Sequence, residues 1–144
     1  VTKDGIDAIL RLSGGDMRRV LNILQATSMA YSEVNQDTVY SCTGDPLPAD
    51  IRTMLKSMMN DTFSEANEKC WTMCVSKGYA LRDILTELST LITRLAFSTE
   101  GKAYLMATLA DIEYRLASAT SDKLQMASLV GAFVHVRYMA RNRS

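Results

Sequence analysis

Proline is almost missing from this sequence: two residues in 144, both within Pro46-Leu47-Pro48. Histidine occurs once, as His135, and cysteine three times, as Cys42, Cys70 and Cys74. So sparse and odd a set of thiols makes no disulfide framework of the secreted kind and fits a reduced, intracellular protein. A single histidine leaves too few nitrogens for a histidine-rich metal centre, and no Ser-His-Asp or Cys-His set can be assembled. Excess charge is lacking too, because 16 Lys+Arg balance 16 Asp+Glu. A free-standing nucleic-acid binder normally carries a basic surplus. The first residues show no charged segment leading into an apolar one, so no secretory signal is expected. The longest near-apolar stretch, Met126 to Val136, contains Ser128 and His135 and is too short to span a bilayer. No membrane partner is expected. No run alternates with period two, so no strand is expected either.

What remains is a helical vocabulary. Apolar residues make up 47% of the chain, enough at this length to build a core without metal or disulfide staples. The best break is Gly44-Asp45-Pro46-Leu47-Pro48, where glycine frees the backbone and each proline bars helix for its predecessor. Before it, Ile6, Ile9 and Leu10 form a helical stripe ended by Ser13-Gly14-Gly15. Asp16 then caps a second helix carrying Met17, Val20, Leu21 and Leu24 on one face. A short third helix starts near Asn35 and turns Val39 inward. After the break, Ile51, Met54, Leu55 and Met58 mark one helix. Thr62-Phe63-Ser64-Glu65 reads as a capping box opening the next, and Lys77-Gly78 as its stop. Leu81, Ile84, Leu85, Leu88, Leu91, Ile92 and Leu95 hold the spacing for four turns. Leu105, Leu109, Ile112 and Leu116 repeat it. The fold class is therefore all-α: three short helices, a break, then five longer ones.

The last helix differs from the others. From Leu124 to Met139 its apolar residues point in almost every direction, whereas a surface helix keeps one polar face. It reads as the central member of a five-helix bundle, with a face that can also pack on another chain. Phe133 and Tyr138 are the candidate anchors for such a contact.

The residues richest in chemistry are Ser13-Gly14-Gly15-Asp16-Met17-Arg18-Arg19-Val20-Leu21-Asn22. Two arginines in a first helical turn oppose the positive end of the macrodipole, and Asp16 offsets part of that cost. An exposed amino-terminal turn with two guanidiniums suits a phosphate oxyanion, although two solvated arginines balanced by nearby acids would look the same. Cys70 and Cys74 share a helical face, but His135 lies far away in sequence. They read as core thiols, and no metal site is expected. Arg137, Arg141 and Arg143 read as a solvated basic end that favours the helix dipole.

With these residues in view, a resemblance becomes specific. Ser13-Gly14-Gly15-Asp16-Met17-Arg18-Arg19, followed by Leu21-Asn22-Ile23-Leu24-Gln25, resembles the sensor 2 segment of clamp-loader AAA+ ATPases. In particular it is similar to the small subunits of replication factor C. Val39-Tyr40-Ser41-Cys42-Thr43-Gly44, Asp83-Ile84-Leu85-Thr86-Glu87, Ala110-Asp111-Ile112-Glu113-Tyr114-Arg115-Leu116 and Lys123-Leu124-Gln125-Met126-Ala127-Ser128-Leu129-Val130 extend the similarity in order along the chain.

The resemblance implies a partial AAA+ lid at 1–44 and a helical collar, the oligomerisation domain, at 45–144. It implies partners: other replication factor C subunits in a heteropentamer and, through that assembly, the sliding clamp (PCNA) and primer-template DNA. It implies a nuclear protein at work in DNA replication and repair. It implies ATP and Mg as cofactors of a longer parent, with Arg18 as the sensor 2 arginine and Asp16 capping its helix. No Gly-x-x-x-x-Gly-Lys-Ser/Thr run occurs in these residues, so they are expected to hydrolyse no ATP and to hold no catalytic residue. The subunit type resembled is often described as weakly hydrolytic or non-hydrolytic. Two rival readings are the same region of another clamp-loader-like paralogue and a helical adaptor without ATPase heritage.

Overall fold

The computed structural model describes residues 1–95, 97–118 and 120–143, with side chains through residue 141. Eight helices account for it: α1 (Lys3–Ser13), α2 (Met17–Ala30), α3 (Gln36–Thr43), α4 (Pro48–Asn60), α5 (Phe63–Lys77), α6 (Leu81–Arg94), α7 (Thr99–Leu116) and α8 (Asp122–Arg143). Among the described residues there is no strand, and no helix is long and apolar enough to cross a membrane. The chain divides into two compact units, Val1–Leu47 and Pro48–Ser144. The division falls after Leu47, where the sequence places it after Gly44. Leu47 packs against the core of the first unit and so stays with it.

The first unit closes around Ala8, Ile9, Val34, Val39 and Tyr40. Its helix starts are locally encoded. Thr2 Oγ1 accepts from the Gly5 N–H, and Asn35 and Thr38 exchange bonds in a two-way capping box before α3. The apolar stripes read from the sequence are rotated here. Ile9 is buried, but Ile6 and Leu10 stay exposed, and on α2 Met17 and Leu21 are exposed while Val20 and Leu24 pack inward. The cause is Gly5. A β-carbon there would stand 2.5 Å from the Val34 carbonyl oxygen. Val34 O also accepts from Thr2 N at 2.9 Å. With the backbone pulled in at Gly5, the small residues Gly5 and Ala8 face the core, and the larger Ile6 and Leu10 are turned outward.

The second unit follows its sequence pattern closely. Ile51, Met54, Leu55 and Met58 of α4, Leu81, Ile84, Leu85, Leu88 and Ile92 of α6, and Leu105, Leu109 and Ile112 of α7 are all buried in one cluster. Thr62 Oγ1 accepts from Glu65 N to start α5, and Gly78, at φ 70°, ends it. Lys77, read as a cation for the last carbonyls, reaches instead to Asp50 Oδ2 at 2.6 Å, which also accepts from the Tyr79 hydroxyl at 2.5 Å. That cluster ties the end of α5 to the start of α4.

Helix α8 is the hub. It packs on α4, α5 and α7 and buries Met126, Leu129, Val130, Ala132, Phe133 and Val136. This is why its sequence lacks a clean polar face: three neighbours take three of its sides.

Candidate functional site

The turn between α1 and α2 aims the arginine pair. Ser13 Oγ donates to Leu10 O and accepts from Gly15 N, while Asp16 N donates to Ser13 O at 3.2 Å. Gly14 and Gly15 both take left-handed backbone, at φ 63° and 87°. Only glycine adopts two such residues in a row without strain, and this reversal brings Asp16 to the N-cap of α2. Asp16 Oδ1 accepts from Arg18 N at 2.9 Å, so the expected cap is formed. Arg18 and Arg19 then project from the first turn, both exposed. Among the described residues neither guanidinium donates to a protein acceptor. The result is a rigid, capped helix start carrying two unsatisfied planar donors, the arrangement that takes a phosphate oxygen through charge-assisted bonds.

The aromatic pair proposed as interface anchors separates. Phe133 is 0% exposed and Tyr138 is 63% exposed. Phe133 is therefore corrected from interface anchor to core residue, because α8 turns it into its own bundle. Tyr138 stands free on the outer side of the same helix. Two hollows flank this end of α8. One, of about 640 Å³, is lined by Met59, Val134, Arg137 and Tyr138 among others. The second, of about 620 Å³, is lined by Leu55, Met59, Leu95, Phe97 and Val136, with Arg52 and Lys56 beside them. Met59 and Ala140 line both.

Sequence reasoning missed Arg137. It is half-buried and not part of a solvated tail: Nη1 donates to Met58 O at 3.1 Å and to Asp61 O at 2.6 Å, and Nη2 reaches Asn60 O at 3.5 Å. These carbonyls belong to the end of α4, where a helix leaves acceptors without internal partners and carries partial negative charge. Arg137 thus caps a helix from which it is 79 residues distant in sequence. No signal in the sequence marks the pairing. The side chain of Arg143 lies outside the described residues.

The two α5 thiols sit in the core. Burial pushes Cys70 up to about 11 and Cys74 up to about 12. Cys70 Sγ has only a weak contact to Met54 O, at 3.9 Å. Thiols held protonated this way are poor metal ligands and poor nucleophiles. Among the described residues no three His, Cys, Asp or Glu side chains come together in a cluster that could hold a metal. His135 is exposed, with its ring 4.8 Å from that of Tyr104.

Comparison with known proteins fits this geometry. The chain is 46% identical over 133 residues to mouse replication factor C subunit 5, covering 92% of this chain and 39% of the relative. The human subunit 5 is 45% identical over the same shares. Rice replication factor C subunit 3 is 40% identical over 137 residues, covering 95% of this chain and 38% of the relative. The chain thus spans about two-fifths of the length of these relatives. The model of the replication factor C C-terminal domain matches residues 46–132, from the break before α4 into α8. That match takes in most of the five-helix unit, and by it the chain belongs to the replication factor C family.

Proposed function

We propose that this chain works as the lid-and-collar part of a clamp-loader subunit. The five-helix unit joins other replication factor C subunits into the ring that loads the sliding clamp onto primer-template DNA in the nucleus. The three-helix unit carries the lid's nucleotide sensor. The observation that carries this reading is the family match falling on one compact unit, with a capped and exposed arginine pair on the other.

In this reading the chain performs no chemistry by itself. ATP and Mg belong to a nucleotide-binding domain outside these residues. What fits a nucleotide here is the first turn of α2: its amino-terminal dipole and the Arg18 guanidinium suit phosphate oxygens, while Asp16 is engaged as the cap. Bound nucleotide would supply the charge that Arg18 grips. Arg18 in turn makes a bond only when lid and nucleotide approach, and this couples nucleotide state to lid position.

Two measurements test the proposal. Co-expressed with the other replication factor C small subunits, the chain should be recovered in a stoichiometric complex; recovery of the chain alone refutes the assembly role. In a full-length subunit, Arg18→Ala should weaken nucleotide-dependent clamp or DNA binding by about 1.5–3 kcal/mol, the worth of one charged hydrogen bond. Its effect on the melting of the chain should be negligible, since the side chain is exposed and the Asp16 cap survives. Unchanged nucleotide affinity and loading would remove Arg18 from the mechanism.

A further inference from the structure

The groove between α4, the α6–α7 connection and α8 has an apolar floor and a one-signed edge. Leu55, Met59, Leu95, Phe97 and Val136 make the floor. Arg52 and Lys56 stand one helical turn apart on α4, both exposed, and among the described residues neither charged side chain has a hydrogen-bond or ion-pair partner. Like charges at that spacing disfavour a helix. The adjoining hollow adds Arg137 and Arg141, and no acidic side chain lines either cavity. In a chain with as many acids as bases, this is a local departure from the average.

We propose that this groove seats an acidic amphipathic helix of the neighbouring replication factor C subunit. The inference rests on the assembly role above and goes further by naming the face used and the chemistry it meets. The apolar floor calls for two or three aliphatic or aromatic side chains at helical spacing. Met59 and Leu95 can adapt to their shape. Arg52 and Lys56 call for carboxylates flanking those anchors, which would relieve the like-charge pair and set the orientation of the partner. A nucleic-acid strand would use the cations but would leave the accessible apolar surface of Met59, Leu95 and Phe97 without a counterpart. Polypeptide is the better match.

The test uses the chain co-expressed with the other small subunits. The photoreactive substitution Leu95→p-benzoylphenylalanine places a crosslinker on the groove, and mass spectrometry identifies the captured peptide. A single partner-subunit helix with apolar residues three and four apart and Asp or Glu beside them is the expected capture. In parallel, Arg52→Glu with Lys56→Glu should lower recovery of that partner by roughly tenfold, most strongly at low salt. Melting of the isolated variant should stay unchanged because both side chains are exposed. If the complex forms but the groove captures nothing, DNA or an acid-poor segment, the inference is overturned while the assembly role stands. Normal recovery of the partner by the double variant overturns it as well. If the unsubstituted chain forms no complex, both fall together.

Discussion

Replacing Arg137 by methionine keeps the side-chain stem and removes the donor fork at the end of α4. Two of its three contacts are of good length, 2.6 Å to Asp61 O and 3.1 Å to Met58 O, and the third, at 3.5 Å, is marginal. Hydrogen bonds from a charged donor contribute roughly 1.5–3 kcal/mol net each when fully formed. The guanidinium is half-exposed, and water can reach some of the freed carbonyls, so the sum must be discounted heavily. About 2 kcal/mol is the expected loss. Arg137→Lys should recover about half of it, because an ammonium satisfies the dipole but cannot fork across two carbonyls in a plane. Urea unfolding of the chain, followed by far-UV circular dichroism, reads both variants against the parent. The order should be Arg, then Lys, then Met. A methionine variant within about 0.5 kcal/mol of the parent, the range of ordinary surface changes, would refute the capping role.

Other consequences can be measured as directly. Gly5→Ala should destabilise the first unit by about 1–3 kcal/mol, since a β-carbon 2.5 Å from Val34 O must push apart backbone on both sides; an unchanged denaturation midpoint for that unit would contradict the close approach. A thiol reagent under native conditions should modify Cys42, which is only half-buried, well before Cys70 and Cys74. Equal rates at all three would overturn the burial argument. The same thiols predict an alkaline weakness. Their folded values are raised to about 11 and about 12 from an ordinary 9, so the stability they contribute is whole below pH 9 and is lost as pH climbs from there toward 12. A variant with Cys70→Ala and Cys74→Ala should be less stable at neutral pH but should lose stability less steeply above pH 9. An identical slope would show that other groups govern the alkaline loss.

Legibility in the sequence tracked the range over which each feature is determined. Helices α4, α6 and α7 were readable because large apolar residues dominate their buried faces, and α5, which buries Ala66, Cys70 and Cys74, was readable from its cap and its Lys77-Gly78 stop. The buried faces of α1 and α2 are only partly legible: Ile9, Val20 and Leu24 pack inward as their spacing predicts, but Ile6, Leu10, Met17 and Leu21 do not. There Gly5 and Ala8, which carry almost no apolar signal, take inward positions of α1 beside Ile9, while Ile6 and Leu10 carry much and face out. The placement of Arg18 was legible, since Gly14, Gly15 and Asp16 encode it within five residues. That this turn suits a phosphate oxyanion follows from its exposed, capped start, whereas the nucleotide-sensing role proposed for Arg18 rests on family resemblance and not on any contact in this chain. Phe133 could not be told from Tyr138, because a helix with three packed sides gives periodicity nothing to separate. The partners of Arg137 lie 76 to 79 positions upstream, a distance over which sequence pattern is silent.

The central position of α8 bears on how the protein folds. In the first unit the contact that closes the fold, Thr2 to Val34, spans 32 residues. In the second, Arg137 meets Met58 across 79. Loop-closure entropy grows only logarithmically, so the longer loop costs roughly 0.8 kcal/mol more. The greater effect is on order. Helices α4, α5 and α7 share α8 as their packing partner, and until it docks each presents an apolar face to water. The second unit is therefore expected to refold more slowly than the first, which stopped-flow circular dichroism would read. Four helices without their fifth would leave those apolar faces open to water, so a chain lacking α8 is expected to aggregate.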